Sequence, residues 1–300
     1  LESPGLYTAQ TTIMKGEVKF DSYTTHFGIR KVAFTADSGF MLNDRKVTMK
    51  GVCIHHDLGC LGAAVNKRAI ERRLELLKQI GVNAIRLSHN PHAPELLELC
   101  DRMGLLVYNE MYDKWDDKWE KHGYKGGMAP FYNTWKTDLK NFIDRDKNHP
   151  SVVIWSTGNE TIEQLDNPSK GDSILKMLVH FIHNYEPSRL VTCALHPGGE
   201  NPSRFIFSSD VVSYNYRTAD FDEWHKKYPD LVFLSSETKA CREDAMKDYM
   251  DFDFLTNSWF DLHPYACGQF IWTGIDYYGE SKGWPDRGNR SGLLYTTGFR

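Results

Sequence analysis

The chain has 300 residues, 41% apolar and 13% aromatic, with a formal net charge of −4. That length is ample for one large core, such as a single barrel domain of about 250 residues. No Lys/Arg block or basic stripe invites nucleic acid, and no run of about 18 apolar residues offers a membrane span.

The opening Leu-Glu-Ser-Pro-Gly-Leu-Tyr is not a signal peptide. It reads like the middle of a longer chain and so carries no information on compartment. Residues 6–36 then alternate as short strands do: LYTAQTTIM, a polar Lys15-Gly16 turn and VKFDSYTTHF predict two antiparallel strands. Two strands make a poor domain alone, so residues 1–34 are expected to be the closing strands of a truncated β-sandwich domain.

From residue 40 the pattern changes to strand alternating with helix. VTMKGVC (47–53) reads as a strand, and Asn66 can cap a helix that carries Ile70, Leu74, Leu77 and Ile80 on one face and ends at Gly81. NAIRLS (83–88) is the next strand, and Pro94 opens a helix that stops near Gly104. LLVYN (105–109), SVVIW (151–155), LVTCAL (190–195), VVSYN (211–215), LVFLSS (231–236) and GQFIWTG (268–274) complete eight strands, with helices expected at 133–147, 171–185 and 242–262. The strand cores are short and continuously apolar, as buried parallel strands are. The prediction is an α/β chain whose residues 35–300 form a (β/α)8 TIM barrel. A doubly wound sheet is the rival, but no GxGxxG follows any strand. The six cysteines lie at positions 53, 60, 100, 193, 241 and 267 without a CxxC pair and read as small core residues rather than disulfides.

Catalytic groups of such barrels gather where strands end. The strand ends here carry His55-His56-Asp57, Arg86 with His89, Asn109-Glu110, Asn159-Glu160, His196, Tyr214-Asn215-Tyr216, Glu237 and Trp272. Glu160 and Glu237, at the ends of strands four and seven, would face one another across the barrel. Two carboxylates around one small volume suit cleavage of a glycosidic bond: one, protonated, donates to the leaving oxygen, and the other, ionised, attacks the anomeric carbon. The apolar run Val152-Val153-Ile154-Trp155 before Glu160 predicts that burial keeps this carboxyl protonated. Arg86 and the nearby imidazoles are expected to hold Glu237 in its charged form. Trp272, Tyr216, Trp115, Trp119 and Trp284 offer ring faces to a sugar.

Each residue has a plainer reading. A single glutamate after a strand is more often a loop residue or salt-bridge partner, and Arg86 or His89 can serve packing alone. His55-His56-Asp57 looks like a set of metal ligands but lacks a metalloprotease-type spacing. Trp155 and Trp259 read as core, and Trp115 and Trp119 read equally as core or surface. The combination points to carbohydrate as substrate, with no metal and no cofactor expected.

The residues also resemble a known family. NAIRLSHNPHAPELLELCDRMGLLVYNE (83–110) resembles the first signature of glycoside hydrolase family 2, and DKNHPSVVIWSTGNE (146–160) resembles its second. LVFLSSET (231–238) and GQFIWTGIDYYGE (268–280) are similar to its seventh and eighth strands, and FGIRKVAF (27–34) to the junction between its sandwich and its barrel. The resemblance implies a retaining exo-β-glycosidase, most commonly a β-galactosidase, preceded by an immunoglobulin-like sandwich. By matching position Glu160 would be the acid/base and Glu237 the nucleophile. Asn159 would bind the sugar 2-hydroxyl and Tyr216, or less directly Tyr214, would touch the nucleophile. His55, Arg86, His89 and Trp272 would shape the sugar subsite, and a homo-oligomer built through domains outside this chain would be expected. Two departures stand out. The magnesium-binding Glu-x-His of the family's best-known β-galactosidases is replaced by Glu110-Met111-Tyr112, and the Asn-x-Lys of its β-glucuronidases by Asn289-Arg290-Ser291. A β-mannosidase, β-glucuronidase or arabinosidase of the same family, a carbohydrate-binding barrel without catalysis, and a metal-dependent hydrolase on His55, His56 and Asp57 are the alternatives.

Overall fold

The alternating runs at the start of the chain pair with each other. The computed structural model describes residues 1–115, 131–198, 202–238, 258–278, 288 and 291–298. In it β1 (Tyr7–Lys15) and β2 (Val18–Phe27) form the expected antiparallel hairpin, turning at Gly16, whose φ of 61° suits glycine. A small sheet that the sequence pattern did not signal follows: β3 (Val32–Thr35), β4 (Gly39–Leu42) and β5 (Arg45–Lys46), all antiparallel. Phe34 meets Phe40 edge-on at 4.9 Å, and Phe40 is buried against Met49, Ala84 and Leu106, each at the start of a barrel strand. This sheet therefore plugs the amino-terminal end of the barrel.

The eight expected strands are β6 (Met49–Ile54), β7 (Ala84–Leu87), β8 (Leu106–Glu110), β9 (Val152–Asn159), β10 (Leu190–Leu195), β11 (Val212–Asn215), β12 (Phe233–Thr238) and β13 (Ala266–Ile271). All are parallel, each pairs with its neighbour in the chain, and β13 closes on β6. Two boundaries differ from expectation in a way that matters. β9 runs on through Gly158-Asn159, and β12 through Glu237-Thr238, so both candidate segments belong to the sheet rather than to loops.

The helices form where their signals lie. The Asn66 side chain accepts from Ala69 N at 3.0 Å and caps α1 (Lys67–Gln79), which buries Ile70, Leu74 and Leu77. Pro94 opens α2 (Pro94–Met103), and Gly104 ends it with a left-handed φ of 69°. Then come α3 (Phe131–Asp146), the short α4 (Glu163–Asp166), α5 (Pro168–Tyr185), α6 (Phe221–Lys227) and α7 (Ser258–Leu262). Most of the helix expected at 242–262 lies outside the described residues. Cys53, Cys100, Cys193 and Cys267 are buried thiols as expected, whereas Cys60 is exposed.

Period-two alternation divides the strands between two cores. In β7, Ile85 and Leu87 point outward to the helices while Ala84 and Arg86 point inward. In β8, Val107 faces outward, Leu106 and Tyr108 face inward, and Glu110 follows them inward. The lower half of the interior is thus apolar and the upper half polar.

Closure of the barrel relies on a glycine. Gly268 has a φ of 132°, and a Cβ there would lie 2.3 Å from Met49 O on the neighbouring strand. Gly268→Ala is therefore expected to destabilise the fold by about 2 kcal/mol or more, read as a lower urea midpoint at unchanged m-value.

Candidate active site

Two irregularities in the sheet aim the upper interior. Ser156 lies opposite Thr192 but Asn159 opposite Ala194, so three steps along β9 cover two along β10. Tyr214 lies opposite Ser235 and Asn215 opposite Glu237, so β12 also gains one residue on its neighbour. Each is a bulge, which turns the residue after it to the other face. Without them strict alternation would send Asn159 and Glu237 outward after inward-facing Ser156 and Ser236. The bulge in β9 takes a glycine because a Cβ on Gly158 would sit 2.9 Å from Trp115 Nε1.

Arg86 occupies the centre, wholly buried. Its Nη1 donates to Glu237 Oε1 at 2.7 Å and to the Ser236 carbonyl at 3.0 Å. Its Nη2 donates to Glu110 Oε2 and to Asn159 Oδ1, both at 2.9 Å. Glu110 also accepts from Ser156 Oγ at 2.8 Å and from His89 Nδ1 at 2.6 Å, which leaves His89 Nε2 facing Glu237 Oε1 at 3.7 Å. Burial, reinforced by Arg86, pushes His89 well below the usual imidazole range, so the ring is neutral. Burial likewise raises the Glu110 carboxyl, with Arg86 opposing.

Glu237 is the more deeply buried of the pair, which reverses the expectation. Its side chain is 6% exposed, against 22% for Glu160. Burial, with the nearby charge of Glu160, pushes its carboxyl up to about 7, while Arg86 and a hydrogen bond from the Tyr216 phenol pull it down. The imidazoles do not share in holding Glu237 ionised, as the sequence suggested, because burial also drives His55 well below the usual range. Arg86 and the Tyr216 phenol carry that role.

Glu160 follows β9 in a left-handed conformation, φ 44°, uncommon for a residue with a side chain. Its N–H donates to the Ala194 carbonyl at 2.8 Å, and its Oε1 accepts from Asn215 Nδ2 at 2.9 Å. Tyr216 takes a similar conformation, φ 56°, directly after β11, and its N–H donates to the Glu237 carbonyl at 2.7 Å. The two glutamates are thus joined by one chain of contacts: Glu237, Arg86, Asn159, Asn215, Glu160.

An aromatic wall closes one side. Trp272 stacks on His89 at 5.3 Å between centroids and 7° between planes, and meets His55 edge-on at 4.8 Å. His55 in turn stacks on Tyr277 at 3.7 Å. All eight residues expected at the site, His55, Arg86, His89, Asn159, Glu160, Tyr216, Glu237 and Trp272, therefore converge on one region.

Other expectations fall away. Trp115 is buried in the core and donates to the Thr157 carbonyl at 2.7 Å, so it offers no face to a ligand. Tyr214 points outward, its ring 4.9 Å from Trp224. Trp155 is core, as expected, and donates to Glu186 Oε2 at 2.7 Å. Asp57 Oδ1 accepts from Gly59 N and His56 Nε2 meets the Ala63 carbonyl, contacts that shape the loop after β6. Among the described residues no three His, Cys, Asp or Glu side chains are placed to share a metal ion. Trp119, Trp284, Asn289 and Arg290 lie outside the described residues. Sequence reasoning missed the role of Asn215, and of Asp113 and Lys114. Asp113 Oδ1 accepts from Asn159 Nδ2 at 3.0 Å, and Lys114 Nζ donates to the Asn159 carbonyl at 2.9 Å. The place of Asn215 at the end of an expected strand was a signal for it. Nothing in the sequence marked the other two.

Fold and site together define a parallel (β/α)8 barrel that gathers two carboxylates around a buried arginine at the carboxyl ends of its strands. Residues 33–256 match the model of the glycosyl hydrolases family 2 TIM barrel domain, and the chain belongs to that family. It is 37% identical to the β-galactosidase BoGH2A of Bacteroides ovatus, covering 100% of this chain and 42% of that protein. It is 32% identical to a putative β-glucuronidase of Formosa agariphila, covering 100% of this chain and 32% of that protein. The crystal structure of a family 2 member from Bacteroides cellulosilyticus superposes with a TM-score of 0.82 at 34% identity, covering 99% of this chain and 37% of that one. The chain thus spans less than half the length of these relatives.

The buried carboxyl makes stability depend on pH. Folding raises Glu237 from its ordinary 4.5 to about 7, so the folded state holds this proton more tightly than the unfolded chain does. The contribution is full below pH 4.5 and is lost as pH rises through about 7. At about 1.4 kcal/mol per pH unit, the loss is about 3 kcal/mol. Glu237→Gln removes the titration. Its stability relative to the unaltered chain is expected to improve by about 3 kcal/mol between pH 4.5 and pH 8, measured by urea denaturation at each pH.

Proposed function

We propose that this chain is the catalytic barrel of a retaining exo-β-glycosidase that acts on β-galactosides. The single observation that carries the reading is the pair Glu160 and Glu237, which face one region and are bridged by Arg86, Asn159 and Asn215. In this reading Glu237 attacks the anomeric carbon while Glu160 protonates the glycosidic oxygen. Glu160 then takes a proton from water as the water oxygen bonds to the anomeric carbon and the bond to Glu237 breaks, which releases the sugar. The unequal surroundings of the two carboxyls fit a division of labour. Glu237, held by Arg86 and Tyr216 in a dry site, is poised to form a bond. Glu160, closer to solvent, can exchange its proton with water. The wall of Trp272, His89 and His55 supports a sugar subsite, with ring faces for its C–H surface.

The exposed apolar side chains of the hairpin, among them Val18, Phe20 and Tyr23, support the reading of residues 1–34 as strands of a sandwich domain. A β-glucuronidase is the second reading, favoured by the likeness to the protein of Formosa agariphila. Initial rates on a panel of aryl β-glycosides separate them. The β-galactoside is expected to be hydrolysed at least tenfold faster than the β-glucuronide, and the reverse order would replace the first reading by the second.

Glu237→Gln is expected to lower kcat by several powers of ten, each about 1.4 kcal/mol of barrier. Glu160→Ala should slow release of the sugar most, with azide restoring part of the rate. A Glu237→Gln chain that still turned over an aryl β-galactoside would end the assignment. Because Glu237 must be ionised to attack, kcat/KM is expected to fall as pH drops through about 7, checked by a pH–rate profile.

A further inference from the structure

Asn215 ends β11, is wholly buried, and has its amide fully committed. One Nδ2 hydrogen goes to Glu160 Oε1 at 2.9 Å and the other to Asn159 Oδ1 at 3.1 Å, while its Oδ1 accepts from Ser236 Oγ at 2.8 Å. Its orientation has no freedom. Asn159 Oδ1 can only accept and already accepts from Arg86, an ionised Glu160 can only accept, and the Ser236 hydroxyl can donate. The amide links the segment carrying Glu160 to the residue next to Glu237, across the intervening β10.

We infer that Asn215 is a positioning residue for Glu160, and that by holding Oε1 as a hydrogen-bond acceptor it assigns the transferable proton to Oε2. The inference rests on the reading of Glu160 as acid/base. The carbonyl oxygen of a carboxylic acid accepts a hydrogen bond better than its hydroxyl oxygen does. A donor fixed on Oε1 therefore makes Oε1 the carbonyl oxygen. His196 is the group facing the other oxygen, with Nε2 3.9 Å from Oε2, too far to hydrogen-bond there. Its Nδ1 already accepts from Gly198 N at 2.8 Å. The Glu160 backbone is held as well, its N–H donating to the Ala194 carbonyl, so the carboxyl is presented to Asn215 from a fixed point. In the first step the Oε2–H bond breaks and the proton passes to the glycosidic oxygen. That oxygen keeps the electron pair of its bond to the anomeric carbon, and Glu237 forms the new bond. In the second step the oxygen of a water bonds to the anomeric carbon, the bond to Glu237 breaks with its electron pair returning to that carboxylate, and the proton the water gives up passes to Oε2.

The test compares two substrates of the sugar that the panel shows to be cleaved fastest: the phenyl β-glycoside, whose leaving group needs a proton, and the 2,4-dinitrophenyl β-glycoside, whose leaving group does not. Asn215→Ala is expected to lower kcat/KM for the phenyl substrate about tenfold to hundredfold, and for the dinitrophenyl substrate less than about threefold. Ser236→Ala, which leaves Glu160 untouched but frees the amide, should show the same pattern more weakly. Retained turnover of the activated substrate also reports that the variant folds. Equal losses on both substrates with no gain from azide, or no loss on either, would overturn the proposal. Glu160→Ala is run alongside. If it shows the leaving-group pattern and Asn215→Ala does not, the positioning role fails and the acid/base reading stands. If Glu160→Ala shows no such pattern, the acid/base reading fails and takes this proposal with it.

Discussion

Arg86 lies wholly buried between two carboxylates, Glu110 and Glu237, and the polar half of the barrel interior is arranged around its charge. A lone guanidinium at this depth would be prohibitively costly to desolvate, and so would either carboxylate. Together they cancel most of the field, and the planar fork, reaching from β7, satisfies groups on three other strands: Glu110 on β8, Asn159 on β9, and the Ser236 carbonyl and Glu237 on β12. Leaving one member of such a cluster without its partner costs about 3–5 kcal/mol, so each acidic partner constrains the other through the arginine. A lysine, with a point charge and no fork, could not span the same acceptors.

The cluster is not balanced. One cation faces two buried carboxylates with Glu160 close by, and burial then decides which carboxyl gives way: Glu237 is raised to about 7 despite its contact with Arg86. Burial thus works against the ionised form of Glu237, the form that the proposed reaction needs. In the proposed reading this is a conflict between stability and activity. The left-handed backbones of Glu160 and Tyr216 belong to the same pattern, since both strained residues follow directly on strands whose hydrogen bonds over-determine them.

Most of this was legible in the sequence because burial leaves a one-dimensional trace. Short apolar runs separated by helical periodicity marked all eight barrel strands, Asn66, Pro94 and Gly104 marked helix ends, and polar residues at the ends of those runs marked the site. The small sheet of β3 to β5 was missed because its strands are only two to four residues long and carry no repeat long enough to read. Trp115 was ambiguous for a related reason. It stands among charged neighbours in the chain, yet folds inward to donate to Thr157, a partner 42 residues away.

The sequence by itself determined the barrel, its strand order and most of the residues that meet at its mouth, because each depends on local periodicity and on the rule that parallel strands end on one side. Only the tertiary structure decided which way those residues point and which carboxyl is the deeper. One extra residue in β9 and one in β12 reverse the alternation just before Asn159 and Glu237. A bulge is a mismatch between two strands, so it has no counterpart in either strand alone. Depth, likewise, is set by what packs around a side chain from every neighbouring element, and apolar residues preceding Glu160 in the chain do not supply it.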